Sequence, residues 1–217
     1  MQNHLRLLEE WRDSNMYTLY IKRLMDIIVS LLGIIFFTPI YLIVSCAVLI
    51  SMGSPVIFKQ ERVGLNEKLF IMYKFRSMRI SKNDEGNIAD DHNRLTRVGL
   101  FLRSTSLDEL PELFNVLKGD MSLVGPRPFP SYYLPYYSSV ERNRHRVRGG
   151  LIPCDGILGK IDDTWEEQFA AELQYVQNVS FWLDVKIIII TFKLLFKRAF
   201  SNYGRADRPL LNEVRNK

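Results

Sequence analysis

Residues 27–50 read IIVSLLGIIFFTPIYLIVSCAVLI, an apolar run of 24 residues without a charged side chain. As a helix it would be about 36 Å long at roughly 1.5 Å per residue, and about 20 apolar residues are enough to cross a bilayer. Pro39 lies near the middle of the run, where proline removes a backbone donor and bends or breaks a helix. The hydroxyl of Thr38 is suited to bond a carbonyl freed by that break.

Basic residues flank the apolar run on both sides. Lys22 and Arg23 precede it, and the following basic residues come after it: Lys59, Arg62, Lys68, Lys74 and Arg76. Because basic flanks favour the cytoplasmic side of a membrane, both ends are expected on that side. We therefore expect a re-entrant helix broken at Thr38-Pro39, with a plain span and a buried helix of a soluble protein as alternatives. The residues before the run are too polar for a cleavable signal peptide.

Length and charge limit the classes of protein to which the chain can belong. Its 217 residues and 25.4 kDa fit one domain with a membrane anchor, which argues against repeat arrays and multidomain machines. A net charge of +5 and a pI near 9.2 favour anionic partners such as phosphates, nucleic acid or acidic lipids. Cys46 and Cys154 have no spacing typical of a disulfide framework or a zinc site.

Local patterns predict a few further elements. Val56 to Lys59 and Leu69 to Phe75 are β-prone and predict a hairpin-like unit. The polar stretch from Ser81 to Arg94 predicts a surface loop, and its Asp90, Asp91 and His92 are solvated more often than they bind a metal. Apolar spacing predicts a helix from Leu107 to Lys118 that stops at Gly119.

The start of that helix has two readings. Ser106 with Glu109 matches a capping box, whereas Pro111 is tolerated only in a first turn and favours a start at Leu107 or Asp108. Two later helices are expected, from Trp165 to Tyr175 and from Phe181 to Phe200. The second is amphipathic, with Lys186, Lys193 and Lys197 opposite bulky apolar groups, and it is either an interfacial helix or a core helix with one wet face.

The residues most suited to chemistry are Asp108 and Glu109, which either reading of the helix start places at its N-terminus. Amide groups and the helix dipole there favour anions, keep a carboxylate ionised and attract phosphate. A carboxylate beside a phosphate needs cations, either a divalent metal held by Asp108 or nearby basic side chains. Arg127, fixed between Pro126 and Pro128, is suited to clamp a phosphate. Further candidates for positive charge are Lys74, Arg76, Arg103, His145 and Arg148. Helix capping by a solvated acidic pair is the alternative.

Several blocks of sequence resemble one family in the same order along the chain. They are KRLMD at 22–26, the run broken at Thr38-Pro39, QERVG at 60–64, YKFRSM at 73–78, STSLDELP at 104–111 and NVLKGDMSLVGPRP at 115–128. Together they resemble the bacterial sugar transferases, the small monotopic polyprenyl-phosphate phosphoglycosyl transferases. The resemblance covers roughly residues 20–200.

The resemblance implies an α/β fold with a re-entrant helix and interfacial amphipathic helices, held at the cytoplasmic face of the bacterial inner membrane. We expect an N-terminal extension (1–19), the membrane helix (20–52), a catalytic domain (53–200) and a C-terminal tail (201–217). It implies that the enzyme, with Mg²⁺, transfers a sugar 1-phosphate from a UDP-sugar to undecaprenyl phosphate in glycan assembly. Asp108 would be the nucleophile and Glu109 its acidic partner. Membrane lipids, downstream glycosyltransferases and a second copy of the chain are the further expected partners.

One block departs from the family pattern. Where members usually carry a run like Arg-Pro-Gly-Ile-Thr-Gly-Trp, residues 148–156 read RGGLIPCDG. The change alters a loop suited to touch nucleotide or sugar, so an inactive scaffold of the same fold remains an alternative. A basic module that only binds membrane surfaces is another. A nucleic-acid role is disfavoured because the positive charge is interleaved with apolar segments.

Overall fold

A computed structural model describes residues 17–79, 94–159, 164–200 and 209–215. Its helices are α1 Lys22–Met52, α2 Arg97–Thr105, α3 Glu112–Lys118, α4 Trp165–Gln177, α5 Phe181–Phe200 and α6 Leu211–Val214. Its strands are β1 Ile57–Val63, β2 Leu69–Phe75, β3 Met121–Gly125 and β4 Gly149–Pro153. Helices thus combine with two small sheets, as the α/β prediction requires. Residues 1–16, the cluster at Asp90 to His92 and most of the tail lie outside the described residues.

Helix α1 is bent near its middle, as Pro39 predicts. Its two halves, Lys22–Phe36 and Thr38–Met52, meet at 62°. Among the described residues no single helix is both long and apolar enough to cross a membrane, although these two halves meet the criterion as a bent pair. Thr38 Oγ1 donates to the carbonyl oxygen of Ile34 at 2.9 Å, one position before the carbonyl that Pro39 leaves without its donor.

The predicted hairpin is confirmed. β1 and β2 pair antiparallel in a register that joins Ile57 with Phe75 and Val63 with Leu69. β1 continues to Val63, four residues beyond the predicted end at Lys59. The 3-10 turn Leu65–Glu67 connects the two strands. β2 carries Lys74 near its C-terminal end, and Phe75 packs with Val44 and Val48 of α1.

The predicted helix from Leu107 to Lys118 is divided in two. A 3-10 turn, Leu107–Glu109, precedes α3, which begins at Glu112 after Pro111. The capping box is wrong: Ser106 has a φ of 56°, makes no side-chain cap and instead ends α2 in a left-handed conformation. The stop at Gly119 is confirmed, with a φ of 98° that a residue with a Cβ rarely adopts.

β3 and β4 form a short parallel sheet that the sequence analysis did not predict. β3 and β4 pair from Met121 with Gly149 to Gly125 with Pro153. The two backbones approach so closely that a Cβ at Gly150 would lie 2.1 Å from the amide nitrogen of Gly125. Glycine is therefore required there. The carboxyl ends of parallel strands commonly border binding sites.

Helices α4 and α5 confirm the two predicted C-terminal helices, and α5 has one buried and one exposed face. Ile187 and Asp184 face the interior, while Trp182 is 77% and Phe192 64% exposed. The side chains of 196–200, including Lys197, are outside the described part. Asp184 accepts bonds from Lys22 Nζ at 2.6 Å and from two tyrosine hydroxyls, so α5 is joined to the start of α1.

Candidate functional site

Asp108 lies in the 3-10 turn between α2 and α3, not on the first turn of an α-helix as the sequence suggested. The turn lies close to β2 and is mostly enclosed, so Asp108 is only 8% exposed. Burial raises the pKa of its carboxyl to about 6, and the negative charge of Glu109 adds to the rise, while Lys74 and Arg103 oppose it. The expectation that a helix end keeps this carboxylate strongly ionised is therefore corrected: burial outweighs the amide groups of the short turn.

Lys74 connects β2 with the acidic turn. Its ammonium group lies 2.8 Å from Glu109 Oε1 and 3.1 Å from Glu112 Oε1. Burial would lower the pKa of Lys74, but the two carboxylates raise it above its ordinary value. Lys74 thus carries its positive charge close to Asp108, and its contact with a phosphate remains a prediction.

Glu112 is a member of this site that the sequence analysis missed. It is 3% exposed, and burial raises its pKa to about 7, with Glu109 adding to the rise and Lys74 opposing it. Its position four residues after Asp108, one helical turn further on, was a signal that could have identified it. The site therefore holds three carboxyl groups, on Asp108, Glu109 and Glu112, around one lysine.

Arg127 enters the same site from the end of β3. The electrostatic field at its guanidinium combines Asp155, Glu109, Glu112 and Glu172, which raise its pKa although burial alone would lower it. In the described part of the chain, the guanidinium forms no hydrogen bond or ion pair that would occupy its donors. Arg127 is thus placed near the acidic turn with its donors available.

The main chain of Arg127 is fixed by a buried ion pair that the sequence did not reveal. Its amide donates to Glu172 Oε1 at 3.2 Å, and its carbonyl accepts from Arg144 Nη2 at 2.6 Å. Arg144 and Glu172 face each other through two bonds of 2.7 and 2.8 Å, and both are almost fully enclosed. The rigid backbone expected from Pro126 and Pro128 is therefore reinforced by α4.

The other basic candidates are distributed differently. Arg103 is near enough to lower the pKa of Asp108, and its Nε donates to Ser77 Oγ at 3.0 Å. Arg76 is not brought to the site, because it donates to the carbonyls of Met52, Gly53 and Ser54 at the end of α1. Arg148 donates to the carbonyl of Gly119 at 2.9 Å, at the C-terminal end of α3.

His145 does not supply the positive charge expected of it. Burial, together with Arg144 and Arg142, lowers its pKa to about 3, so the ring is neutral at physiological pH. The ring packs edge-on against Tyr137 with centroids 5.4 Å apart. A sequence of alternating arginines and histidine looks uniformly basic, but in the fold only the arginines carry charge.

Of the three carboxyl groups at the site, Asp108 is the one suited to hold a divalent cation. Within the described ranges, no three His, Cys, Asp or Glu side chains converge as a complete metal cage. Glu109 and Glu112 are engaged by Lys74, which leaves Asp108 as the carboxylate for a metal. Mg²⁺ commonly binds through one or two carboxylates plus substrate phosphates and water, so Asp108 fits a magnesium ion that arrives with its substrate.

Carboxyl groups and basic side chains thus lie together at the ends of β2 and β3, and basic side chains of this kind are suited to phosphate groups. The chain belongs to the bacterial sugar transferase family, whose model matches residues 17–198. It is 43% identical over 173 residues to the uncharacterized sugar transferase EpsL of Bacillus subtilis, covering 80% of this chain and 86% of EpsL.

Two further relatives carry names that describe an activity. The chain is 44% identical over 180 residues to the UDP-glucose:undecaprenyl-phosphate glucose-1-phosphate transferase of Klebsiella pneumoniae, covering 78% of this chain and 39% of that protein. It is 37% identical over 185 residues to the UDP-N-acetylgalactosamine-undecaprenyl-phosphate N-acetylgalactosaminephosphotransferase of Aeromonas hydrophila, covering 81% of this chain and 44% of that protein. The chain therefore spans less than half the length of either.

Proposed function

We propose that the protein is a membrane phosphoglycosyl transferase that moves a sugar 1-phosphate from a UDP-sugar to undecaprenyl phosphate and releases UMP. The observation that carries this proposal is the buried carboxyl of Asp108 beside Lys74 and Arg103, with Arg127 close enough to interact with Glu109 and Glu112 of the same site. Phosphoryl transfer needs a positioned nucleophile and positive charge where the diphosphate lies. Family membership and the names of the relatives support the same reaction.

In the first step a carboxylate oxygen of Asp108 attacks the phosphorus that bears the sugar. A P–O bond to Asp108 forms, the P–O bond to the UMP oxygen breaks, and UMP leaves with the bonding electrons. With a pKa of about 6, Asp108 is ionised at neutral pH yet poorly solvated, which makes it more reactive than an exposed carboxylate. Glu109 acts by holding Lys74 at the edge of the site.

In the second step an oxygen of undecaprenyl phosphate attacks the same phosphorus. The new P–O bond forms as the bond to Asp108 breaks, which returns the carboxylate and leaves a diphosphate-linked sugar on the lipid. Arg127 is suited to hold phosphate oxygens in both steps through parallel N–H donors. A magnesium ion held by Asp108 and the substrate phosphates would neutralise the charge of the diphosphate.

The membrane arrangement is part of the proposal. Both halves of α1 expose large apolar side chains, including Leu32, Phe36 and Ile43, and α5 exposes Trp182 and Phe192. A bent helix of this kind is suited to enter and leave the bilayer on one side, with α5 in the interface. We infer a location at the cytoplasmic face of the bacterial inner membrane, where the lipid acceptor and the soluble donor meet. A pairing of two copies and contact with downstream glycosyltransferases remain predictions.

The test is UMP release by the purified full chain from a panel of UDP-sugars with undecaprenyl phosphate and Mg²⁺. Asp108→Asn should abolish release, and wild-type protein given donor without acceptor should gain the mass of one phosphosugar. Glu166→Gln, which removes an exposed carboxyl on α4, is the matched control and should retain normal activity. If no UDP-sugar yields UMP while the protein is folded, the inactive scaffold is the correct reading. Release that persists in Asp108→Asn would instead exclude Asp108 as the nucleophile.

A further inference from the structure

Asp155 is a buried carboxyl group that the reaction described above leaves unused. It is 9% exposed, and its Oδ1 is enclosed without a hydrogen-bond partner in the described structure. A buried carboxylate oxygen without a donor is costly, and such groups usually have a specific role. Asp155 also belongs to the stretch 148–156 that departs from the family pattern.

The strand register places Asp155 and Arg127 at the same edge of the sheet. Gly125 of β3 is paired with Pro153 of β4, and Arg127 and Asp155 each follow two residues later. Because the strands are parallel, both side chains emerge at the same carboxyl edge of the sheet. Asp155 is the carboxylate that most strongly raises the pKa of Arg127.

The loop that carries Asp155 is held firmly. Cys154 is fully buried with Val124, Tyr175 and Ile187. Helix α5 approaches so closely that a Cβ at Gly156 would lie 2.6 Å from Thr191 Oγ1. The backbone that carries Asp155 therefore has little freedom to move, and in the described structure no ion pair or hydrogen bond joins the side chains of Asp155 and Arg127.

Carboxylates on two different elements therefore attract Arg127. Glu109 and Glu112 act on it from the acidic turn, and Asp155 acts on it from the end of β4. If only the acidic turn attracted it, the guanidinium would be drawn into an ion pair there and its donors would be occupied. Attraction by Asp155 competes with that of the acidic turn, and in the described structure the N–H donors of the guanidinium are unpaired.

We propose that Asp155 is a positioning residue that holds Arg127 away from the acidic turn, so that the guanidinium stays available for the diphosphate of the nucleotide-sugar donor. This inference rests on the proposed function for the identity of the donor. For the loss of the Asp155 charge, the proposal predicts a change in donor affinity opposite to the change expected from net charge alone. Removing a negative charge near an anion site should tighten donor binding by Coulomb attraction, whereas loss of positioning should weaken it.

The test is a double-mutant cycle between Asp155 and Arg127. Binding of UDP-sugar is measured by calorimetry in the Asp108→Asn background, which cannot turn over, and kcat and KM are measured with Asp108 intact. Asp155→Asn, which keeps the size of the side chain, should weaken donor binding by roughly tenfold, or about 1.4 kcal/mol. It should raise KM more than it lowers kcat. In the Arg127→Ala background the same substitution should cause no loss.

Control variants separate positioning from folding. Asp155→Glu keeps the charge and should bind donor within about threefold of wild type, since a through-space attraction tolerates a small displacement. Glu166→Gln should leave binding unchanged, and melting temperatures show which variants are folded. If Asp155→Asn does not fold, the Glu variant carries the test: a loss of tenfold or more in that variant counts against the proposal.

The outcomes are distinct from those of the proposed function. If wild-type protein releases no UMP from any donor, the proposed reaction fails whatever Asp155 does. If wild-type protein turns over while Asp155→Asn binds donor equally well or more tightly, only the role of Asp155 is overturned. An equal loss with and without Arg127 would also overturn it, because Asp155 would then act independently of the arginine.

Discussion

Breaking the buried pair of Arg144 and Glu172 should destabilise the protein severely. Glu172 accepts two bonds from Arg144, one from Gln168 at 3.1 Å and one from the amide of Arg127 at 3.2 Å. Glu172→Gln keeps the volume but removes the charge, which leaves the guanidinium of Arg144 buried without compensation. Removing one partner of such a pair costs about 3–5 kcal/mol.

The expected effect is large enough to measure by thermal unfolding in detergent. Since 1 kcal/mol shifts the melting temperature of a domain of this size by about 2–4 °C, Glu172→Gln should lower it by about 6–20 °C. The matched control is Glu67→Gln, which breaks the pair with Arg142. That pair is partly exposed and should cost about 1 kcal/mol or less.

A double variant tests the cause of the loss. Arg144→Met with Glu172→Leu removes both charges and fills the space with apolar atoms, so it should be more stable than Glu172→Gln alone. The rings around Arg144 favour this replacement, because its guanidinium already lies 4.7 Å from the centroid of Phe129. The reasoning is refuted if Glu172→Gln is as stable as Glu67→Gln, or if the double variant is the least stable of all.

Three further predictions concern the anchor and the site. Pro39→Ala should straighten α1 and move one of its ends across the membrane; cysteine labelling at Tyr20 and Ser54 in intact cells reports this, and labels on opposite faces of the unmodified protein would contradict the re-entrant helix. Arg127→Lys should lower kcat by roughly 30-fold or more, which corresponds to an activation barrier higher by about 2 kcal/mol, because lysine lacks paired donors. The salt dependence of the rate and the melting temperature should stay unchanged, and near-normal kinetics would remove Arg127 from the site. The rate should rise with pH through about 6 as Asp108 ionises and then level off. The raised pKa of Asp108 means that its ionised form destabilises the folded protein. The melting temperature of Asp108→Asn, measured in EDTA, should therefore exceed that of wild type at pH 8 and equal it below about pH 4, where the carboxyl is protonated. Equal melting temperatures at both pH values would contradict this.

The elements that local sequence determines were predicted well. Proline in a long apolar run bends a helix whatever surrounds it, so the bend at Pro39 followed from the sequence. The hairpin of β1 and β2 and the end of α3 at Gly119 also depend on residues that are close in sequence. The capping box was wrongly predicted because Ser106 adopts a left-handed conformation, which a serine rarely does without tertiary support.

The parts of the site that depend on long-range contact were not predictable. Glu172 lies 28 residues from Arg144, and only the packing of α4 reveals that they form a pair. The neutral state of His145 follows from burial, which the basic local sequence conceals. The parallel pairing of β3 with β4 joins segments that carry no shared signal along the chain. Asp155 therefore gains its significance only from the strand opposite.

The contacts of α1 with the rest of the fold have a practical consequence for expression. Asp26 accepts a bond from the amide of Leu123 at 2.9 Å, and Lys22 neutralises the buried Asp184. A protein shortened by removal of α1 would lose the contact between Asp26 and β3. It would also leave the enclosed charge of Asp184 without the cation of Lys22. To obtain a more soluble protein, replacing exposed leucines of α1 with polar residues is therefore preferable to deleting the helix.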